Sequence, residues 1–246
     1  MRLAIKFAYD GRKFHGYARQ PGLKTVEGEL LQSLIRNGFI LNAKESFFRA
    51  SSRTDKNVSA LGNVVSFNTE STKKQILNNL SSEYIVVYGI KEVGPQFNPR
   101  HAKMRHYRYY LPIANLHVDK IIKASNCFTG NHNFSNFARL ESFRDPIRSI
   151  DNIVLSLENE TLIIDFYAQT FLWHQIRRIA SALIKIGNNK INEDQIIKAL
   201  DNPDESVDFG VAPAEPLILQ DIIFDFEFEY DKKSLEKVYE FEKNFF

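Results

Sequence analysis

The chain has 246 residues, 43% of them hydrophobic and 25% charged, with a formal net charge of +2. This composition is that of an ordinary globular protein, long enough to bury a sizeable core, and it excludes disordered and fibrous classes. A single cysteine, Cys127, excludes an internal disulfide and argues against a cysteine-based zinc site.

The N-terminus shows no signal-peptide layout and no apolar run reaches membrane-spanning length, so a cytoplasmic location is expected. Charge is unevenly spread. Residues 225–246 hold seven acids and four lysines, a net −3, which leaves +5 for the rest. A modestly basic body with an acidic tail permits nucleic-acid binding without demanding it.

Leu3, Ile5, Phe7 and Tyr9 alternate with Arg2, Ala4, Lys6 and Ala8, which predicts a strand with one buried face. A polar and aromatic loop follows, and Thr25 is placed to cap a helix over about 26–37 that Gly38 ends. Short Phe- and Val-rich runs at 45–50 and 63–67 predict two strands, with a polar loop between them. A helix opening at Ser71 or Thr72 and a strand over 84–93 complete the first half. Gly94 to Pro99 is the best boundary signal.

The second half opens with a Tyr- and Arg-rich strand over 105–113 and a helix over 118–126, then a loop at 130–137. Strands over 147–157 and 161–168 come next. A long helix is expected over 172–186, a shorter one over 193–200, a strand over 217–228 and a charged terminal helix over 234–246. Both halves thus run strand, helix, strand pair, helix, strand. That order predicts an α+β fold of two ferredoxin-like, RNA-recognition-type halves sharing a central antiparallel sheet. Helices are expected on one face and a basic cleft between the halves. The expected boundaries are 1–96, 97–230 and a C-terminal helix at 231–246.

Three segments could carry chemistry. The loop from Phe48 to Ala60 sets Asp55 among Arg53, Lys56 and small hydroxyl residues. A carboxylate among cations stays ionised, which suits a nucleophile or a general base. A plain hairpin turn would use the same Asp, Asn and Ser residues. Residues 100–110 hold Arg100, Lys103, Arg105, Arg108 and three tyrosines. Cations and stacking surfaces together are what handling an unstacked base requires, but an ordinary strand with cross-strand tyrosines and solvated arginines has the same composition. On a strand, Arg105, Tyr107 and Tyr109 share one face and Arg108 and Tyr110 the other. The third segment, Phe171 to Arg178, places Arg177 and Arg178 near a helix start, where the helix dipole gives cations nothing: they are either plain surface arginines or held by a specific carboxylate or phosphate partner. The six histidines show no paired metal spacing, and no Walker, dinucleotide or nucleophile-elbow signature is present.

The stretch Ser52-Arg53-Thr54-Asp55-Lys56-Asn57-Val58-Ser59-Ala60 resembles the R-T-D-x-G-V-x-A loop of the TruA family of tRNA pseudouridine synthases. Its Ser and Lys neighbours look like those of archaeal members. Further matches follow in order: Tyr9-Asp10-Gly11, Phe14-His15-Gly16-Tyr17, Phe97-Asn98-Pro99-Arg100, Arg105-His106-Tyr107-Arg108-Tyr109, Gly130-Asn131-His132-Asn133-Phe134, Phe171-Leu172 with Arg177, and Ala212-Pro213-Ala214. Together they span about residues 4–220.

The resemblance implies isomerisation of uridine to pseudouridine in the tRNA anticodon stem-loop, at one or more of uridines 38, 39 and 40. It implies Asp55 as the catalytic aspartate and Tyr107 as the tyrosine that stacks on the uracil. Arg53 and Arg177 would hold Asp55 and the flipped nucleotide, and no metal or organic cofactor takes part. Lys56, Arg100, Lys103, Arg105 and Arg178 are expected to contact the RNA, and a homodimer is left open. Two residues depart from the family pattern: Asn57 stands where glycine is usual, and Gln175 where methionine is common. The rival readings are a passive RNA-binding module, which would change no uridine, and a metal-dependent nuclease, which the shortage of clustered carboxylates disfavours.

Overall fold

The computed structural model describes all residues except Ser142, Asn244 and Phe246. In chain order the elements are β1 (Arg2–Tyr9), α1 (Val26–Arg36), β2 (Arg49–Ala50), β3 (Ser59–Asn68), α2 (Lys73–Asn79), β4 (Ile85–Val93), β5 (Met104–Pro112), α3 (Val118–Ser125), β6 (Gly130–Asn133), β7 (Ile147–Ile150), β8 (Asn152–Glu158), β9 (Thr161–Ala168), α4 (Gln175–Gly187), α5 (Glu193–Asp201), β10 (Leu217–Ile223), β11 (Glu229–Tyr230) and α6 (Lys232–Lys243). Residues 244 and 246 of the expected terminal helix lie outside the described residues.

The chain forms two compact units, Met1–Lys103 with Ile218–Phe246, and Met104–Leu217. The expected boundaries at 96/97 and 230/231 differ from this division. The cause is that β10 and β11 return to the first unit and hydrogen-bond there to β3 and β4.

In the first unit the strands lie in the order β11-β4-β1-β3-β10, with β2 beside β3. β1 runs antiparallel to β3 (Leu3 opposite Phe67) and to β4 (Leu3 opposite Glu92). β10 runs parallel to β3, with Ile218 opposite Ser59. The sheet is therefore mixed, which corrects the expectation of an antiparallel one. The expectation of one buried face on β1 is corrected too: all eight of its residues are buried. Its central place explains how a strand carrying Arg2 and Lys6 tolerates this. The Arg2 guanidinium donates to Phe97 O (2.9 Å), Phe47 O (3.3 Å), Asn68 Oδ1 (3.0 Å) and Ser66 Oγ (2.7 Å). Lys6 pairs with Asp221 and lies 5.3 Å from the centre of the Phe228 ring. Buried charges persist only when matched in this way.

In the second unit β5, β9 and β8 form an antiparallel sheet, with Tyr107 opposite Phe166. The expected strand over 147–157 is two strands. β7 pairs with β6, in the stretch expected as a loop, and β8 pairs with β9. Gly130-Asn131-His132-Asn133 has no apolar alternation, so nothing local announces β6. The expected strand over 217–228 stops at Ile223, and Phe224, Phe226 and Phe228 instead cluster with one another and with Phe97, ring centres 5.2–6.4 Å apart.

Candidate active site

In the first unit the Asp55 loop joins β2 to β3, an antiparallel pair, so it is a hairpin connection. β2 holds only two residues, and β3 begins at Ser59, four residues ahead of expectation. The loop is anchored at many points. Ser51 N donates to Val64 O (2.9 Å) and Ser51 Oγ to Pro99 O (2.6 Å). Asn63 Nδ2 donates to Ser52 O (3.0 Å), and the Tyr9 and Thr54 hydroxyls share a 2.7 Å hydrogen bond. Val58 N closes the turn onto Asp55 O (3.2 Å).

The aromatic loop after β1 packs on this turn backbone to backbone. Tyr17 N donates to Thr54 O (3.2 Å). Gly16, at φ +91°, brings its Cα so near residue 56 that a β-carbon would lie 3.3 Å from Lys56 N. Gly11 is tighter still: a β-carbon there would stand 2.1 Å from Val58 O. Only glycine permits both approaches.

On this frame Asp55 and Asn57 are half-buried, while Arg53 and Lys56 are exposed. Asn57 has φ +69°, the left-handed conformation that glycine adopts freely and asparagine best among the rest. Tyr17 lies fully buried beneath the loop. Burial pushes its phenol well above the usual range, with the Arg53 charge acting in the opposite direction. Arg100 is exposed, and Lys103, also exposed, stands 3.3 Å from the Asp225 carboxylate.

In the second unit β5 alternates as expected. Arg105, Tyr107, Tyr109 and Leu111 are buried, and His106, Arg108 and Tyr110 are half-buried on the other face. Tyr107 meets Phe171 edge to face with ring centres 5.4 Å apart. On the opposite face Asp165 of β9 grips the residues that flank Tyr107. His106 Nε2 lies 2.6 Å from Asp165 Oδ1, Arg108 Nε donates to Oδ1 (2.8 Å) and Arg108 Nη2 to Oδ2 (3.0 Å). Burial alone would raise the Asp165 carboxyl, but hydrogen bonds from His106 and Arg108 bring it below its ordinary value. Arg105 is buried and donates to Gln169 O, which makes it a strand anchor rather than an open cation.

α4 starts at Gln175, three residues after the expected start, because His174 takes a left-handed φ of +61°. Gln175 is buried and its Oε1 accepts from Leu172 N (2.7 Å). Trp173 and His174 thus precede the helix and do not share its faces with Arg177 and Arg178. Arg177 Nε donates to Ala212 O (2.9 Å), and Ala212 N donates back to Arg177 O (3.0 Å). Arg178 Nη1 pairs with Asp208 Oδ1 (2.8 Å). The same segment reaches β5: Tyr109 Oη donates to Pro213 O (3.2 Å) and Tyr110 N to Pro216 O (3.1 Å). Residues 208–216 therefore tie the arginine helix to the tyrosine strand, a role that propensity and periodicity do not reveal. Its one sequence signal is the Ala212-Pro213-Ala214 match.

Sequence reasoning also passed over Lys13 and Lys24, exposed cations of the aromatic loop. Lys24 Nζ lies 4.5 Å and Lys13 Nζ 5.7 Å from the centre of the Tyr84 ring. Among the described residues no three His, Cys, Asp or Glu side chains gather as a metal centre would require, and no helix is long and apolar enough to cross a membrane.

Comparison with known families first gives the class: a model described as tRNA pseudouridine synthase matches residues 124–225. Over 245 residues the chain is 42% identical to tRNA pseudouridine synthase A of Thermococcus sibiricus, covering 97% of this chain and 91% of that protein. It is 41% identical over 242 residues to tRNA pseudouridine synthase A of Pyrococcus abyssi, covering 96% and 90%. Among solved structures, a Cbf5-Nop10-Gar1 complex aligns over 74% of this chain and 45% of that chain, with 13% identity and a TM-score of 0.39. The chain belongs to the tRNA pseudouridine synthase A family, the TruA family, and its relatives named here are archaeal.

Proposed function

We propose that this chain isomerises uridine to pseudouridine in the anticodon stem-loop of tRNA, with Asp55 as the catalytic carboxylate. The observation that carries the reading is the 42% identity across 97% of the chain to a tRNA pseudouridine synthase A. The anchoring of the Asp55 loop supports it, since a carboxylate that acts on ribose must be held in one pose.

The bond from C1′ to N1 breaks, the uracil turns, and C5 joins C1′. The proton carried by C5 leaves and N1 takes one up, so no electrons are gained or lost. Ionised Asp55 acts at the ribose, either by attacking C1′ or by removing a ribose proton. In this reading Tyr107 stacks on the uracil and moves a proton, and Arg53 and Arg177 hold the carboxylate and the flipped nucleotide. Unstacking the base costs a few kcal/mol, which stacking on Tyr107 and phosphate contacts offset. Lys56 and Arg100, both exposed, serve as phosphate contacts in this reading. The ferredoxin-like character of the halves and a basic cleft for the RNA belong to the same proposal.

Replacing Asp55 by Asn should abolish pseudouridine formation on an unmodified tRNA transcript and leave tRNA binding near wild type. Wild-type turnover in that variant would remove Asp55 from this role. A passive RNA-binding module would bind the transcript and change none of its uridines, so the same assay on the unaltered chain separates the two readings.

A further inference from the structure

The segment between the Tyr107 strand pair and α4 carries a feature that the assigned chemistry does not use. Trp173 is the only tryptophan of the chain and is 43% exposed. The exposed guanidinium of Arg139 lies 4.2 Å from the centre of its ring. The stack is built into the backbone, because Arg139 N donates to Trp173 O (2.8 Å). His174, at φ +61°, turns the chain between Trp173 and the helix that bears Arg177. Leu140 and Phe143, on the same segment as Arg139, are exposed as well.

An indole left partly at the surface forgoes some of the burial that would stabilise the fold. A guanidinium laid on that indole presents a flat, cationic and weakly hydrated surface. Such surfaces accept unstacked nucleobases by stacking while the charge faces the backbone phosphates. We infer that Arg139 and Trp173 form a second nucleotide-binding platform, which takes an unpaired base of the tRNA other than the one isomerised. The inference rests on the proposed function for the identity of the RNA and on the side-chain geometry for the platform. The platform has no part in bond cleavage, so it governs substrate binding rather than turnover.

The sole tryptophan makes the test direct. An unmodified tRNA transcript, and separately oligouridylate, are titrated onto the Asp55→Asn chain while tryptophan fluorescence and RNA anisotropy are followed together. Both RNAs should change the fluorescence with the same midpoint as the anisotropy. In the otherwise unaltered chain Trp173→Ala should raise KM for tRNA about tenfold at nearly constant kcat. Trp173→Phe, which keeps a stacking ring, should recover most of that loss. Binding seen by anisotropy without a fluorescence change, or a Trp173→Ala enzyme with wild-type KM, would overturn the platform. Pseudouridine formed without any fluorescence response sinks this inference and leaves the proposed function intact. A fluorescence response to RNA with no pseudouridine formed by the unaltered chain does the reverse.

Discussion

At position 57 the backbone, more than the side chain, decides what the Asp55 loop tolerates. The loop pattern that this stretch resembles has glycine there, and here asparagine holds a left-handed φ of +69°. Left-handed backbone costs most residues roughly 1–2 kcal/mol, glycine nothing, and asparagine less than the rest because its short polar side chain can bond locally. Asn57→Gly should therefore keep turnover and shift stability by under about 1 kcal/mol. Asn57→Val should destabilise by roughly 2 kcal/mol, since a β-branched residue fits that region worst. Urea denaturation of both variants measures this, and a Val variant as stable as the Gly variant would show that residue 57 is free to leave φ +69°. The residue types around Asp55 were legible in the sequence. Its Tyr9–Thr54 and Asn63–Ser52 anchors were not, because partners some 10 to 50 positions apart leave no local pattern.

At the scale of elements, the β5–β9 pair fixes Tyr107 by a clamp on its far side. Asp165 bonds both His106 and Arg108, so the strand cannot twist at Tyr107 without breaking a charge-assisted pair. The carboxyl of Asp165 is depressed in the fold, so its contribution to stability is complete above its unfolded pKa and is lost as pH falls through the lower folded value. That window lies below about pH 4. Asp165→Asn should lower stability at pH 7 by roughly 1–3 kcal/mol. It should also flatten the loss below about pH 4, compared as urea midpoints of the two proteins. Parallel acid profiles would show that Asp165 gains nothing from its partners. The alternation of β5 was readable from period two alone, but Asp165 was not singled out, because its meaning depends on lying opposite Arg108. Likewise α4 begins at Gln175 because His174 turns left-handed, a choice the apolar stripe of the helix does not record.

At the scale of the whole chain, the first unit is made from both ends of the sequence. β10 lines the edge of β3 and supplies Asp221 to the otherwise buried Lys6, and the stretch behind it supplies Phe228. Ending the chain after Leu217 would leave that ammonium without its carboxylate, which costs about 3–5 kcal/mol before lost packing is counted. Such a chain should lose the cooperative urea transition of the first unit, read by far-UV circular dichroism. A wild-type midpoint would show that β10 and α6 are dispensable to it. The sequence by itself determined most of the element types, the family and the residues proposed for chemistry, because periodicity, capping residues and contiguous motifs are local properties carried by neighbours in the chain. Tertiary structure alone decided that β10 runs parallel to β3, that β1 is buried on both faces, and that residues 208–216 bind the arginine helix to the tyrosine strand. Each of those depends on which distant segment satisfies a backbone hydrogen bond or a buried charge, and no short stretch of sequence encodes the identity of that partner.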